Sequence, residues 1–149
     1  MRLPPHLPDS GYSPTHILDS INHEDVAHCE ACGRKLRWIH LITHPSLDHP
    51  LEVGSTCAPN LCTGYDAEGE ETKAKNRAYR LLTFLNRAKW TQQTSGALAR
   101  TYRKIRVSIF GRSGCFKFRI GRGRNDAVFS DPFCSVEEAM SAAFNRIER

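Results

Sequence analysis

Acidic side chains are missing from the whole stretch between Glu71 and Asp126, where fifteen Lys or Arg fall, from Lys73 to Arg124. Apolar runs are short as well. None approaches the roughly 18 residues needed to span a bilayer, and the opening MRLPPHLPDSGYSP lacks the apolar stretch of a secretion signal. Low-complexity runs, internal repeats, a nucleophile elbow, a phosphate loop and a paired acid and base are all absent. These absences exclude a membrane-spanning chain and the commoner hydrolase and nucleotidase classes, and a cytoplasmic location is expected. At 149 residues the chain is one ordinary domain or two very small ones, which excludes a large multidomain enzyme. With 40% hydrophobic and 25% charged residues it folds, around modest cores. In a reducing compartment its six cysteines stay free, so the C-x2-C pair Cys29 and Cys32 suggests metal or redox chemistry before a disulfide.

The formal net charge of +5 conceals a division. Residues 1–69 hold four Lys or Arg against nine Asp or Glu, whereas residues 70–149 hold seventeen against seven, a balance of −5 followed by one of +10. A solvated surface mixes signs, but charge of one sign over a folded segment repels itself unless a polyanion relieves it. The basic half therefore points to nucleic acid or another polyanion, against the plainer reading of charge kept for solubility.

Residues 1–27, with Pro4, Pro5, Pro8, Pro14 and Gly11, read as a poorly ordered tail with room for one short helix over Ile17 to Val26. A cysteine- and histidine-rich module occupies 28–69, closed by an acidic loop, Asp66 to Glu71, that contains Gly69. Residues 70–93 hold a basic helix. From Lys73 to Trp90 there is no Gly or Pro, and Ala74, Ala78, Leu81, Leu82, Leu85 and Ala88 form one apolar stripe. Lys73, Arg77, Arg80 and Arg87 project from the neighbouring face within roughly 80°, with Phe84 among them.

Residues 100–149 read as three strands and a helix. Lys104 to Phe110 alternates, with Ile105, Val107 and Ile109 on one face, and Cys115 to Ile120 alternates likewise across the turn at Gly111-Arg112-Ser113-Gly114. Ala127 to Ser130 supplies a third strand. Ser135 and Glu138, at capping-box spacing, open a helix whose apolar face is Val136, Ala139, Met140, Ala143 and Ile147. If that helix covers the apolar face of the sheet, Lys104, Arg106, Lys117 and Arg119 are left on the open one. A two-stranded ribbon fits the DNA major groove, where such side chains reach phosphates and guanine edges. Arg112 in the turn and Arg122 and Arg124 in the loop GRGR extend the basic surface, the loop either entering a minor groove or serving as a plain turn.

The order of three strands and a helix, ending in PFCSVEEAMSAAF, resembles the small DNA-binding domains of phage integrases and plant ethylene-response factors. With the preceding helix it also resembles a double-stranded-RNA-binding domain, although Glu137 and Glu138 stand where that family carries lysines. Both resemblances imply nucleic-acid binding, with DNA ahead of RNA.

Cys29-Glu30-Ala31-Cys32-Gly33 has the form of a zinc knuckle, in which two thiolates reach one ion from a tight turn and Gly33 allows its left-handed backbone. In Val53-Gly54-Ser55-Thr56-Cys57-Ala58-Pro59 a strand runs into a helix start and sets Cys57 near amides that favour a thiolate. Together they resemble a treble-clef zinc finger. The run C-x2-C-G, WIHLITHP, VGSTCA and a basic helix ending in Trp90 is similar to an uncharacterised family of bacterial and phage-related zinc-finger proteins, which implies fold and metal but no activity. A structural Zn2+ site needs four ligands. Two main candidates stand for the fourth, His44 and Cys62, with His40 and His49 behind them. Asn60 occupies the place three residues after Cys57 where a treble clef normally offers its last ligand.

Enzyme readings fare less well. His28-Cys29-Glu30 matches only the H-x-E half of the zinc deaminase signature. A His-metal-finger nuclease would use His40, His44 or His49 to activate water, but no histidine dyad precedes a strand-turn-helix. The expectation is therefore an α+β chain with a treble-clef-like zinc module, a basic linking helix, and a three-stranded antiparallel sheet covered by a C-terminal helix. It binds nucleic acid and is not an enzyme. The alternative is an adaptor or inhibitor that sets the same basic face against an acidic protein.

Overall fold

The structure is a computed structural model that describes residues 4–20, 26–123 and 126–149. The chain divides into two compact units, 1–76 and 77–149. Helices and antiparallel sheets are present in both, and no helix among the described residues is long and apolar enough to cross a membrane.

In the first unit, β1 (Ser13–Asp19), β2 (Trp38–Thr43) and β3 (Leu51–Val53) form an antiparallel sheet in that order. Ile42 of β2 and Leu51 and Val53 of β3 share one buried face, as β-branched and aliphatic residues on a covered face should, and Ile39 is buried on the other. β1 lies where a loose tail was expected. It pairs with β2 through most of its length, from Ser13 opposite Thr43 to Asp19 opposite Trp38, with an irregularity between Pro14 and His16 that accommodates the missing amide of proline. Before it, Leu7 and Tyr12 are buried in the core beside Ile42, Leu51, Leu61 and Cys62. The expected helix over 17–26 gives way to this strand at Ile17 to Asp19, and its remainder at 21–25 lies outside the described residues.

The short α1 (Ala58–Leu61) follows Cys57, whose amide and that of Ala58 both donate to the Gly54 carbonyl at 2.9 Å. The stretch read as an acidic loop is the capped start of α2 (Ala67–Leu85). Asp66 accepts from the Gly69 amide at 3.0 Å, and Glu68 and Glu70 lie in the first turn, where the helix dipole favours negative charge. The helix starts earlier than its periodicity indicated because that cap outweighs the helix-breaking tendency of Gly69. The boundary between the units falls inside α2.

The second unit carries a five-stranded antiparallel sheet, not the expected three-stranded one. Its order is β4 (Thr91–Gln92), β5 (Leu98–Tyr102), β6 (Ile105–Arg112), β7 (Cys115–Gly121) and β8 (Val128–Phe129). β6, β7 and β8 correspond to the three strands expected from the sequence, and β4 and β5 are additional. α3 (Val136–Ile147) covers one face, with Ala139, Met140, Ala143 and Phe144 packed in a core with Val107, Ile109, Phe118 and Ile120. Ser135 caps α3 by accepting from the Glu138 amide at 3.1 Å, while the Glu138 carboxylate reaches back to the Cys134 amide at 3.0 Å.

The buried face of α2 within this unit is turned from the expected one, with Leu81 and Leu85 of the stripe still packed against the core. Phe84 is fully buried, against Trp90, Tyr102 and Phe144, and Leu82 is 69% exposed. The arginines beside Phe84 form a rim around a packing face. Arg77 donates to Asn145 at 2.8 Å, Arg80 to Glu148 at 2.9 Å and Arg87 to Glu137 at 3.0 Å. Long basic stems can cover apolar surface while their heads pair at the edge, so a basic stripe does not by itself mark the solvent side of a helix. Arg100 of β5 donates to the last-turn carbonyls of Thr83 and Phe84, both at 2.9 Å, supplying the C-terminal cation that α2 lacks.

Candidate metal centre and candidate nucleic-acid interface

The knuckle is folded by its own backbone. The amides of Cys32 and Gly33 donate to the Cys29 carbonyl at 3.3 and 2.7 Å, the Cys29 amide donates to Arg34 at 2.8 Å, and Gly33 holds a φ of +74°. Glu30 ties this turn to β3, its amide donating to the Glu52 carbonyl and its carboxylate accepting from the Glu52 amide. Cys57, at the end of the turn after β3, meets the knuckle there. The three sulfurs of Cys29, Cys32 and Cys57 lie within 4.8 Å of one another, a group that could hold a metal ion. Cys29 and Cys57 are buried and Cys32 is exposed. Burial, reinforced by the neighbouring thiols, pushes the Cys57 thiol up to about 12, whereas a hydrogen bond from the Arg34 backbone, followed by the Cys57 side chain, draws Cys32 below its ordinary value. The trio borders a cleft of about 240 Å³ whose lining includes Arg34, Trp38, Ser55, Thr56 and Glu71.

Neither candidate for a fourth ligand belongs to this group of three. His44 engages Ser46 through Nδ1, at 2.7 Å from the hydroxyl and 3.1 Å from the amide, and its ring leans on Tyr12 at 5.0 Å. Cys62 is buried in the hydrophobic core, and that burial raises its thiol. His40 is fully buried in another arrangement, with Nδ1 2.9 Å from the Tyr65 hydroxyl and Nε2 3.8 Å from the Glu71 carboxylate. His49 is exposed on the loop before β3.

The basic residues separate into two sets. Lys73 pairs with Glu70 inside α2, and Arg77, Arg80 and Arg87 are held by Asn145, Glu148 and Glu137. Lys104, Arg106, Arg112 and Lys117 have no side-chain partner among the described residues. Arg119 donates to the Gly123 carbonyl at 3.0 Å, Arg122 stands in the loop where Asp126 accepts its amide at 2.8 Å, and Arg124 lies outside the described residues. Lys104 is not on the sheet face as expected. With Arg103 it forms the two-residue turn between β5 and β6, at φ values of 48° and 64°, so its side chain leaves the tip of the hairpin.

Register places Arg106, Ser108 and Phe110 of β6, Lys117 and Arg119 of β7 and Phe129 of β8 on the face away from α3. Ser108 stands opposite Arg119, Arg119 opposite Phe129, and Phe110 opposite Lys117. Phe129 is 61% exposed, and its ring meets Phe110 edge to face at 6.4 Å with the Arg119 guanidinium 6.0 Å from its centre. The strict alternation of IRVSIF already puts Phe110 on the polar face, a signal that sequence reasoning passed over. Phe129 had no such signal, because two residues of strand establish no period. No family model, curated protein or solved structure matches the chain.

Proposed function

We propose that this chain is a nucleic-acid-binding protein whose first unit is a treble-clef-like module held by a structural Zn2+ ion. The observation that carries the binding reading is the open face of the sheet in the second unit. Arg106, Lys117 and Arg119 share that face, and β5, β6 and β7 contain no carboxylate to neutralise them. A sheet that displays unpaired cations on one side and buries its other side has its charge available to phosphates.

Zinc suits the donor set. Thiolates at the usual 2.3 Å from a tetrahedral ion stand roughly 3.8 Å apart, within the separation of the three sulfurs, and soft thiolates select zinc over harder cations. Cys29, Cys32 and Cys57 would hold the ion and leave its fourth position to a donor outside this cluster, supplying folding free energy that so small a core cannot. A structural role is supported by Glu30, the carboxylate inside the knuckle, whose Oε2 accepts from the Glu52 amide and so ties the turn to β3.

The test is binding of the zinc-loaded chain to duplex DNA, single-stranded DNA and duplex RNA across a salt series, with cleavage scored in the presence of magnesium. Arg106→Glu combined with Arg119→Glu is expected to abolish binding without lowering the melting temperature. Unaltered affinity would remove the sheet face from the proposal. Absence of binding to all three at low salt would transfer that face to an acidic protein partner, and metal-dependent cleavage would restore the nuclease reading.

A further inference from the structure

The sheet that presents these cations also presents aromatic rings. Exposed phenyl groups are ordinary when scattered singly, but Phe129 and Phe110 meet on one face with Arg119 beside them and Lys117 directly across from Phe110. Next to Phe110 is a cavity of about 480 Å³ lined by Ser95, Gly96, Ala97, Phe110, Gly111 and Arg112. It joins an aromatic wall to a guanidinium and the backbone of two turns.

Rings alternating with cations fit a ligand that is itself alternately flat and anionic. In duplex DNA or RNA the base faces are stacked on one another and unavailable, so a phenyl ring gains nothing from a duplex beyond its ends. A single strand offers both its bases and its phosphates. A protein partner fits poorly, because an apolar docking patch would be contiguous, whereas here the phenyls stand among Arg106, Lys117 and Arg119.

We infer that the open face of β6, β7 and β8 binds single-stranded nucleic acid, stacking one base on Phe129 and an adjacent one on or beside Phe110 while Lys117, Arg119 and Arg106 hold the phosphates between them. The inference rests on the nucleic-acid reading above and narrows it to a substrate class. Arg112 and the cavity beside Phe110 receive a base edge at the end of this track. Gly111 is required there, since it adopts a φ of +133° and a Cβ would run into the Cys115 carbonyl and the Phe116 backbone.

The experiment measures fluorescence anisotropy of the full zinc-loaded chain with three labelled probes: a 20-nucleotide oligothymidylate, the same strand made abasic, and a 20-base-pair duplex. The oligothymidylate is expected to bind at least tenfold tighter than either of the others. Phe129→Ala, at a position exposed enough to leave the fold intact, should weaken the oligothymidylate by about 5- to 150-fold, the range that corresponds to losing one stacked base. Phe129→Trp should restore affinity, and the abasic strand should not register either change. If the abasic strand binds as well as the oligothymidylate, or Phe129→Ala changes nothing while Arg119→Glu still abolishes binding, stacking is overturned and phosphate binding survives. If no probe binds at low salt, the nucleic-acid reading falls with it.

Discussion

The dependence of affinity on salt counts the phosphates a protein neutralises, and the two sets of basic residues make that count a test. For a single strand, each phosphate contact contributes about −0.7 to the slope of log affinity against log salt. Arg106, Lys117 and Arg119 alone give a slope of about −2, and adding Lys104, Arg112 and Arg122 at the turns gives about −4. Raising potassium chloride from about 0.1 to 0.3 M should therefore weaken the oligothymidylate complex by about 10- to 100-fold. Had Lys73, Arg77, Arg80 and Arg87 also met phosphate, the slope would be near −7 and the same change would cost roughly two-thousandfold. Anisotropy titrations at five salt concentrations separate these outcomes. Arg77→Gln and Arg87→Gln should leave the slope unchanged, because those guanidinium groups are held by Asn145 and Glu137. A slope near −7, or one that shrinks in either variant, would refute the division of the cations into structural and available sets.

Four further outcomes are expected. Chelation of the metal, or Cys57→Ser, should unfold the first unit and leave the second folded, seen in calorimetry as loss of one of two transitions together with bound zinc; unchanged melting and zinc content would refute the metal site. Glu148 accepts from Arg80, Arg103 and Tyr102 with its side chain only 3% exposed, so Glu148→Ala should destabilise the second unit by about 2–3 kcal/mol in urea titrations, less than a fully buried pair because both arginines are partly exposed. Arg100→Met removes two hydrogen bonds to the carbonyls of Thr83 and Phe84 and should cost about 1.5–3 kcal/mol by the same measurement. Burial holds His40 below its ordinary 6.5 despite the opposing pull of Glu71, so the unfolded chain takes up a proton that the folded one refuses. Stability of the first unit should be full above about pH 6.5 and decline from there toward the depressed folded value, and His40→Gln should flatten that decline.

How much of this was legible in the sequence depended on whether a residue's role was set by its near neighbours. Strict alternation revealed β6 and β7, and the Ser135–Glu138 spacing gave the start of α3, because these elements are one-face-buried and locally capped. The sulfur trio was legible from a C-x2-C-G turn and a third cysteine at a strand-to-helix junction. β1 was not, since SPTHILD carries a proline and is mostly exposed, and it becomes a strand only because β2 offers a partner. β5 was hidden because Arg100, on the core side of LARTY, interrupts the apolar alternation with a guanidinium that caps a distant helix. The buried face of α2 was centred on the wrong residue, Leu82 in place of Phe84, for the reason that the partners of its arginines, Glu137, Asn145 and Glu148, lie 50 to 68 residues away in sequence. Lys104 was misplaced because a turn with two non-glycine residues at positive φ is disfavoured, and alternation extends more naturally through it.

The rim of arginines around Phe84 also bears on how a polyanion would arrive. A carboxylate beside a guanidinium cancels much of its field a few ångströms away, so Arg80 and Arg87, neutralised by Glu148 and Glu137, contribute little beyond their own surroundings. The sheet and its turns, with Arg106, Arg112 and Lys117 unpaired, therefore carry a large share of the long-range potential of the second unit. A strand diffusing from solution is therefore drawn toward the face that has rings to receive it, and the pairing of Arg80 and Arg87 favours that direction by muting their own pull. Unmasking Arg87, as Glu137→Gln would do, should create a competing basin that captures strands unproductively. Encounters would then become faster while the fraction that matures into the stacked complex falls.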